Sequence, residues 1–337
     1  MKLSSFQVNA ESRPKIRFGA LMKNEKTLVS FADAAQALDG KKPRALANAL
    51  AFLEGGAKAK DQAFEILERG EKEKPSGACF PVDSVSLLAP VPRPVSIRDC
   101  LAFEKHLNQS AQTVIKWRSP ALAAANRLFA KYKGSPLIKP PKVWYKFPVY
   151  YTGNPMCMVG PNHDIQWPSY SKKLDYELEM GIYIGKQGIN IPRDKAASYI
   201  AGYTIFNDFS ARDMQMREMA GRLGPAKGKN FDTSYVTGPW LVTPDEIPDP
   251  YNLTMIARVN GEEWSRGNSG DMYHKFEDMI RHISQDETLY PGELIGSGTV
   301  GGGCGLELDR WLSPGDVVEL EIEGLGVLRN RVVRSAD

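Results

Sequence analysis

Residues 174–185 read LDYELEMGIYIG. On a strand successive side chains alternate, so Asp175, Glu177 and Glu179 share one face and Tyr176, Leu178 and Met180 the other. The run continues as Ile182-Tyr183-Ile184, which looks buried. Two neighbouring glutamates entering a core repel each other and lose hydration, and buried charge persists only when paired or bound to a cation. One reading is a hard divalent ion held by Glu177 and Glu179. The other is a solvent-facing edge strand with ordinary acids. Periodicity leaves both open.

A second group follows at 206–215, FNDFSARDMQ. Asp208 suits the cap of a helix, the common use of such a turn, and equally a further ligand. Arg212 and Gln215 lie four and seven residues on, so a helix starting there puts all three near one face. Lys229 sits in GPAKGKNF, a glycine-rich stretch that lets backbone or lysine approach a ligand, or else a plain surface loop. Asp99 and His106 are two helical turns apart, roughly 10 Å along an axis. That spacing would suit an acid on a metal and an imidazole on a substrate. A capping aspartate plus a satisfied helical histidine explains it more simply.

These residues need elements to hold them. The 30 Gly and 23 Pro in 337 residues call for many turns and a β-rich or mixed architecture. Two short strands are expected in 15–32, and two helices in 43–70 separated at Gly55-Gly56. A boundary falls in the Pro-rich stretch 85–95, giving a small domain over 1–92 and a larger one over 93–337. Ser96 with Asp99 resembles a capping box for a helix over 96–110, and Pro120 suits the start of another over 119–132. The Pro- and aromatic-rich span 134–168 reads as a long ordered connection. Strands are expected at 202–208, 252–260 and 316–334, the second ending in an Asn260-Gly261 hairpin turn.

Composition narrows the class. Lys plus Arg is 43 and Asp plus Glu 40, a net charge of +3, too balanced to announce a nucleic-acid binder. Its only support is a pI of about 8.5 and the basic stretch 131–146, which reads better as a solvated, Pro-stiffened loop. Cys79, Cys100, Cys157 and Cys304 lie far apart with no C-x-x-C pair, which disfavours zinc ribbons and redox motifs. No apolar run is long enough to span a membrane. The opening residues lack a secretory h-region, so reduced thiols in a cytoplasmic protein are expected.

Taken together the segments resemble the fumarylacetoacetate hydrolase family. The carriers are RDCLAFEKH (98–106), LDYELEMG (174–181), NDFSARDMQ (207–215), GPAKGKNF (224–231), GSGTVGGGCGLEL (296–308) and the closing PGDVVELEIEGLGVLRNRV, all in the family's order. The resemblance covers about 90–335. It implies a mixed, β-rich α+β fold, a β-roll catalytic domain behind a small N-terminal β-rich domain. It also implies a metal held by Asp99, Glu177, Glu179 and Asp208. An all-carboxylate set suits Mg²⁺, Mn²⁺ or Ca²⁺ rather than Zn²⁺.

The same resemblance makes His106 a general base oriented by Glu307. It places Arg212, Gln215 and Lys229 around developing negative charge, and Tyr151 and Thr299 against substrate. Met219 stands where a substrate-binding tyrosine is expected. The implied activity is metal-dependent hydrolysis of a carbon–carbon bond in a β-diketo acid of the fumarylacetoacetate or acylpyruvate kind. The alternative is a decarboxylase, dehydratase, isomerase or lyase working on a 2-oxo acid through an enolate. Partners expected are this small acid and a second copy in a homodimer, with no nucleic acid and no membrane.

Overall fold

A computed structural model describes residues 1–134 and 139–334, so residues 135–138 of the expected connection and the chain end lie outside the described residues. Among the described residues twelve strands form one large sheet. Its order runs Cys79–Pro81, Thr27–Ser30, Arg17–Leu21, Lys2–Val8, Tyr235–Val242, Ile200–Asp208, Leu178–Ile184, Leu294–Gly296, Ile97–Cys100 and Tyr150–Gly153. Val85–Leu87 pairs with Lys2–Val8, and Met158–Val159 runs parallel to Tyr235–Val242. The N-terminal strands thus continue the sheet that carries the acidic strand, joined at Lys2↔Val242. A five-stranded sheet lies beside it: Glu262–Asn268, Thr254–Val259, Val317–Ile322, Gly326–Val333 and Asp164–Gln166. This is a mixed α+β fold.

The large sheet is covered on both faces, which explains its sequence. Leu178, Met180, Ile182 and Ile184 belong to the core shared with Val318, Leu320, Ile322 and Leu328 of the second sheet. Tyr183, Phe206, Tyr235 and Leu241 face the other way, in a second core with Phe31, Phe52, Leu53 and Ile66 from the helices Phe31–Asp39 and Ala49–Glu73. Every residue of Leu178–Ile184 is buried. The acidic alternation is therefore not an edge facing water. Strands buried on both faces read as apolar runs, and here the acids are an insertion into such a run.

Several local expectations give way to long-range pairing. The helix expected over 96–110 is a strand, Ile97–Cys100, followed by a helix Glu104–Arg118. Pairing with Leu294–Gly296 on one side and Tyr150–Gly153 on the other overrides the capping signal. Ser96 Oγ donates instead to Glu293 Oε2 at 2.7 Å. Asp208 caps no helix: it ends the strand Ile200–Asp208, and the helix Arg212–Ala220 is preceded by Ala211. The expected strand 316–334 is a hairpin, Val317–Ile322 and Gly326–Val333, turning at 323–325. The two helices expected in 43–70, by contrast, are present within Ala49–Glu73, separated at Gly56, whose φ of 56° breaks helical geometry.

Other expectations match. Ser119 Oγ accepts from Leu122 N–H ahead of the helix Pro120–Lys133, with Pro120 in its first turn. Asn260 and Gly261 both have positive φ, 52° and 80°, the mirror-type hairpin turn their pair favours.

Candidate metal and proton-transfer site

Three strands of the large sheet bring three acids together. Register fixes how: Glu179 lies opposite Phe206 on the next strand, Gly181 opposite Gly296, and Gly296 opposite Asp99. Alternation then points Asp99, Glu179 and Asp208 to the same face as Tyr183 and Phe206. The strand Leu294–Gly296 intervenes between Asp99 and Glu179, yet Gly296 carries no side chain. A Cβ there would lie 2.3 Å from Asp99 Oδ1. The missing methyl is the space through which the Asp99 carboxylate reaches its neighbours. One oxygen each from Asp99, Glu179 and Asp208 lie within 4.8 Å of one another.

The electrostatics of this trio are unfavourable as it stands. Burial pushes the Asp99 carboxyl up to about 6, partly opposed by its bond to Glu179 and by Lys229. Burial, then the charges of Asp99 and Glu177, raises Glu179 well above the carboxylate range. Asp208 is raised likewise by burial, against the pull of Lys229. Glu179 Oε2 and Asp208 Oδ1 are buried without a hydrogen-bond partner among the described residues. Buried carboxylate oxygens with nothing to accept from are costly, and two of them within a cluster of three buried acids suit a hard divalent cation. The donor set fits such an ion.

Around the trio lies a chain of ion pairs. Glu177 Oε1 accepts from Arg212 Nη2 at 2.6 Å and Oε2 from Lys229 Nζ, while Lys229 also donates to Asp208 Oδ2 at 2.5 Å. Glu177 is the fourth ligand expected from the resemblance, and here both its oxygens are engaged by cations. Burial raises its carboxyl, but Arg212 and Lys229 outweigh that and hold it below the usual range. Arg212 also donates to Asp175 Oδ2 at 2.7 Å and to Gln215 Oε1 at 2.9 Å. Tyr151 OH donates to Asp208 Oδ2 at 2.6 Å, and Thr299 Oγ1 to Glu179 Oε1 at 3.4 Å. Met219 lies half exposed on the helix Arg212–Ala220.

His106 comes from the first turn of Glu104–Arg118 and is buried. Its Nδ1 lies 2.7 Å from Glu307 Oε1. Glu307 is held in turn by Gly302 N–H at 2.7 Å on Oε2 and Gly303 N–H at 3.2 Å on Oε1. A carboxylate only accepts, so Nδ1 carries the proton and Nε2 is left as a proton acceptor in the neutral ring. The helix bearing His106 is clasped at its far end. The Lys173 ammonium lies 4.0 Å from the Trp117 ring centre and 4.3 Å from that of Trp311.

Residues given no role from the sequence also belong here. Asp175 binds Arg212 and two backbone amides, Gly296 opens the sheet, and Cys304 Sγ lies 3.5 Å from Glu307 Oε1. Asp175 is marked by the acidic alternation at 175–179, although that spacing does not reveal its partners. The other two become visible only with the register known.

Residues 121–333 match the family described as fumarylacetoacetate (FAA) hydrolase, C-terminal. The chain belongs to the fumarylacetoacetate hydrolase family. It is 43% identical over 189 residues to the mitochondrial oxaloacetate tautomerase Fahd2a of Rattus norvegicus, covering 56% of this chain and 59% of that protein. To the mitochondrial oxaloacetate tautomerase FAHD2A of Homo sapiens it is 41% identical over 189 residues, 56% of this chain and 60% of the relative. The match thus spans about three fifths of the length of these curated relatives.

Among solved structures, a probable 2-hydroxyhepta-2,4-diene-1,7-dioate isomerase from Mycobacterium abscessus superposes with a TM-score of 0.69 at 25% identity, covering 100% of both chains. A fumarylacetoacetate hydrolase from Exiguobacterium antarcticum gives a TM-score of 0.70 at 24% identity over 99% of this chain and 100% of that one. This second likeness speaks for the fold alone. Among the described residues no helix is long and apolar enough to cross a membrane.

Proposed function

We propose that this chain is a divalent-cation-dependent isomerase that interconverts the keto and enol forms of a short 2-oxo diacid such as oxaloacetate. The observation that carries the reading is the buried His106–Glu307 pair beside three converging carboxylates. The relatives whose names specify oxaloacetate tautomerase supply the substrate class.

Asp99, Glu179 and Asp208 would hold the ion, with Glu177 as the fourth ligand once the ion displaces Lys229 from its Oε2. When bound it would supply Lewis-acid polarisation of the 2-oxo group. The chain's own residues do the rest. His106, its Nδ1 committed to Glu307, offers Nε2 to take a proton from the carbon next to the carbonyl. The carbon–hydrogen bond breaks, the carbonyl becomes an enol once its oxygen gains a proton, and no atom is gained or lost overall. Arg212, Gln215 and Lys229 are fixed donors for the developing negative charge and for the acid's carboxylates, each such donor being worth roughly 3 kcal/mol in a transition state. Tyr151 and Thr299 brace the acids and face the substrate. Homodimeric assembly and a cytoplasmic location belong to the same reading.

The deciding experiment follows the ultraviolet absorbance of enol-oxaloacetate as it decays, with Mg²⁺ and with chelator. Decay no faster than the uncatalysed rate in both would end the proposal.

A second reading is hydrolysis of a carbon–carbon bond in a 2,4-diketo acid, because the same imidazole can activate water. Turnover of acylpyruvates in ¹⁸O-labelled water separates the two: label in the product acid supports hydrolysis, and unlabelled product excludes it.

A further inference from the structure

Asp175 has no part in the proton transfer or ion binding proposed above, yet it is fully buried and joins the two halves of the site. Its Oδ1 accepts from Gly305 N–H at 2.7 Å, and its Oδ2 from Leu306 N–H at 3.0 Å and from Arg212 Nε at 2.7 Å. Bonds to an ionised carboxylate are among the stronger ones available inside a protein.

On one side these bonds hold the backbone of Gly305–Leu308, the short turn of helix that carries Glu307. On the other they hold the guanidinium that braces Glu177 and Gln215. One line of contacts therefore runs from His106 through Glu307 and its backbone to Asp175, then through Arg212, Glu177 and Lys229 to Asp208. The fit around Asp175 is close. A Cβ on Gly305 would lie 2.6 Å from Asp175 Oδ1 and 2.2 Å from the Arg310 carbonyl. Asp175 is itself fixed by pairing with Ser210, two residues before Arg212. Its position is thus set by the strand pair and not by the groups it holds.

We infer that Asp175 is a positioning residue that sets the placement of the His106–Glu307 pair relative to Arg212 and the ion-binding acids. Its kinetic consequence rests on the function proposed above, and its structural consequence does not.

The test is Asp175→Asn, which keeps the shape but exchanges one acceptor oxygen for a donor and so cannot serve both amides and Arg212. Turnover of enol-oxaloacetate should fall about 100-fold, the cost of a displacement of about 1 Å. Mn²⁺ affinity, read by electron paramagnetic resonance, should stay within about threefold, because Asp175 is not among the three clustered acids. In a Glu307→Gln background the same substitution should cost clearly less than 100-fold, since the part of its effect that passes through Glu307 is already lost. A purely structural defect would multiply.

The downfield proton of the His106–Glu307 hydrogen bond gives a readout that needs no turnover. It should shift or broaden in Asp175→Asn. If Asp175→Asn does not accumulate folded, Asp175→Ser takes its place in the same measurements. Unchanged turnover with an unchanged proton resonance overturns the inference, as does a full 100-fold loss in the Glu307→Gln background. A parent enzyme inert toward oxaloacetate would refute the proposed function instead, and the resonance would then decide the role of Asp175 alone.

Discussion

Replacing Glu179 with Gln should stabilise the metal-free protein while abolishing its response to divalent ions. Glu179 is fully buried, and its carboxyl is raised first by burial and then by Asp99 and Glu177. A raised carboxyl means that the folded state holds a proton the unfolded chain has lost. Stability contributed by that proton is complete below the unfolded value and declines as pH rises. Glu179 Oε2 also has no hydrogen-bond partner among the described residues, and a buried acceptor left in that state costs about 1–3 kcal/mol. Glutamine needs no proton, so the variant escapes this cost, and its amide can donate to the nearby Asp99 or Asp208. At about 2 °C per kcal/mol for a chain of this size, its Tm in chelator should exceed the parent's by about 2–6 °C at neutral pH. The gain should shrink toward nothing near pH 4.5.

Mg²⁺ at about 100 times its Kd should raise the parent's stability by about 2.7 kcal/mol and the variant's hardly at all. Thermal melts across pH, with and without Mg²⁺, measure both arms. A variant less stable than the parent at every pH, or one that Mg²⁺ still stabilises equally, would refute the reasoning about the buried trio.

Gly296→Ala should weaken Mn²⁺ binding at least tenfold, because its Cβ would stand 2.3 Å from Asp99 Oδ1 and 2.9 Å from the Phe206 ring; calorimetric titration reads this. His106→Asn should lower turnover by about 10²–10⁴-fold yet leave the Mg²⁺-induced rise in Tm intact, which separates proton transfer from ion binding. Tyr151→Phe removes the 2.6 Å bond to Asp208 Oδ2 and should weaken the ion about tenfold while leaving the fold unchanged by circular dichroism. Mg²⁺ binding should release protons, since Asp99 is raised to about 6 by burial and must ionise to coordinate; affinity should therefore fall as pH drops below neutral, and a pH-stat measures the release directly.

How much of this was legible in the chain depends on the distance over which each feature is decided. The alternation at 175–179 is a property of one strand, and it identified acids that lie at the centre of the structure. What it left open, solvent edge or buried site, turned on whether the sheet is covered on both faces. Helices from residues 31–73 and a second sheet from residues 254–333 settle that. Asp99 shows the opposite case. Its local context, Ser96 with an acid three residues on, reads as a helix start, but parallel pairing with Leu294–Gly296 makes it a strand residue. The spacing argument that put Asp99 and His106 on one helical face therefore does not hold, although both side chains reach the same region by another route. The linkage of Asp175 to residues 305–306 joins positions 130 residues apart in sequence, and no periodicity within either segment announces it.

The two glycines that face each other across neighbouring strands, Gly181 and Gly296, make the floor of the site closed to variation. A methyl at Gly181 would press on Leu294, Thr204 and Phe206, and one at Gly296 would strike the acid it makes room for. A lineage seeking a new substrate would find no foothold there. Diversification has to come from elsewhere: the helix pair 104–133 apart from His106 and the stretch 216–228, which can change while the bare strands stay as they are.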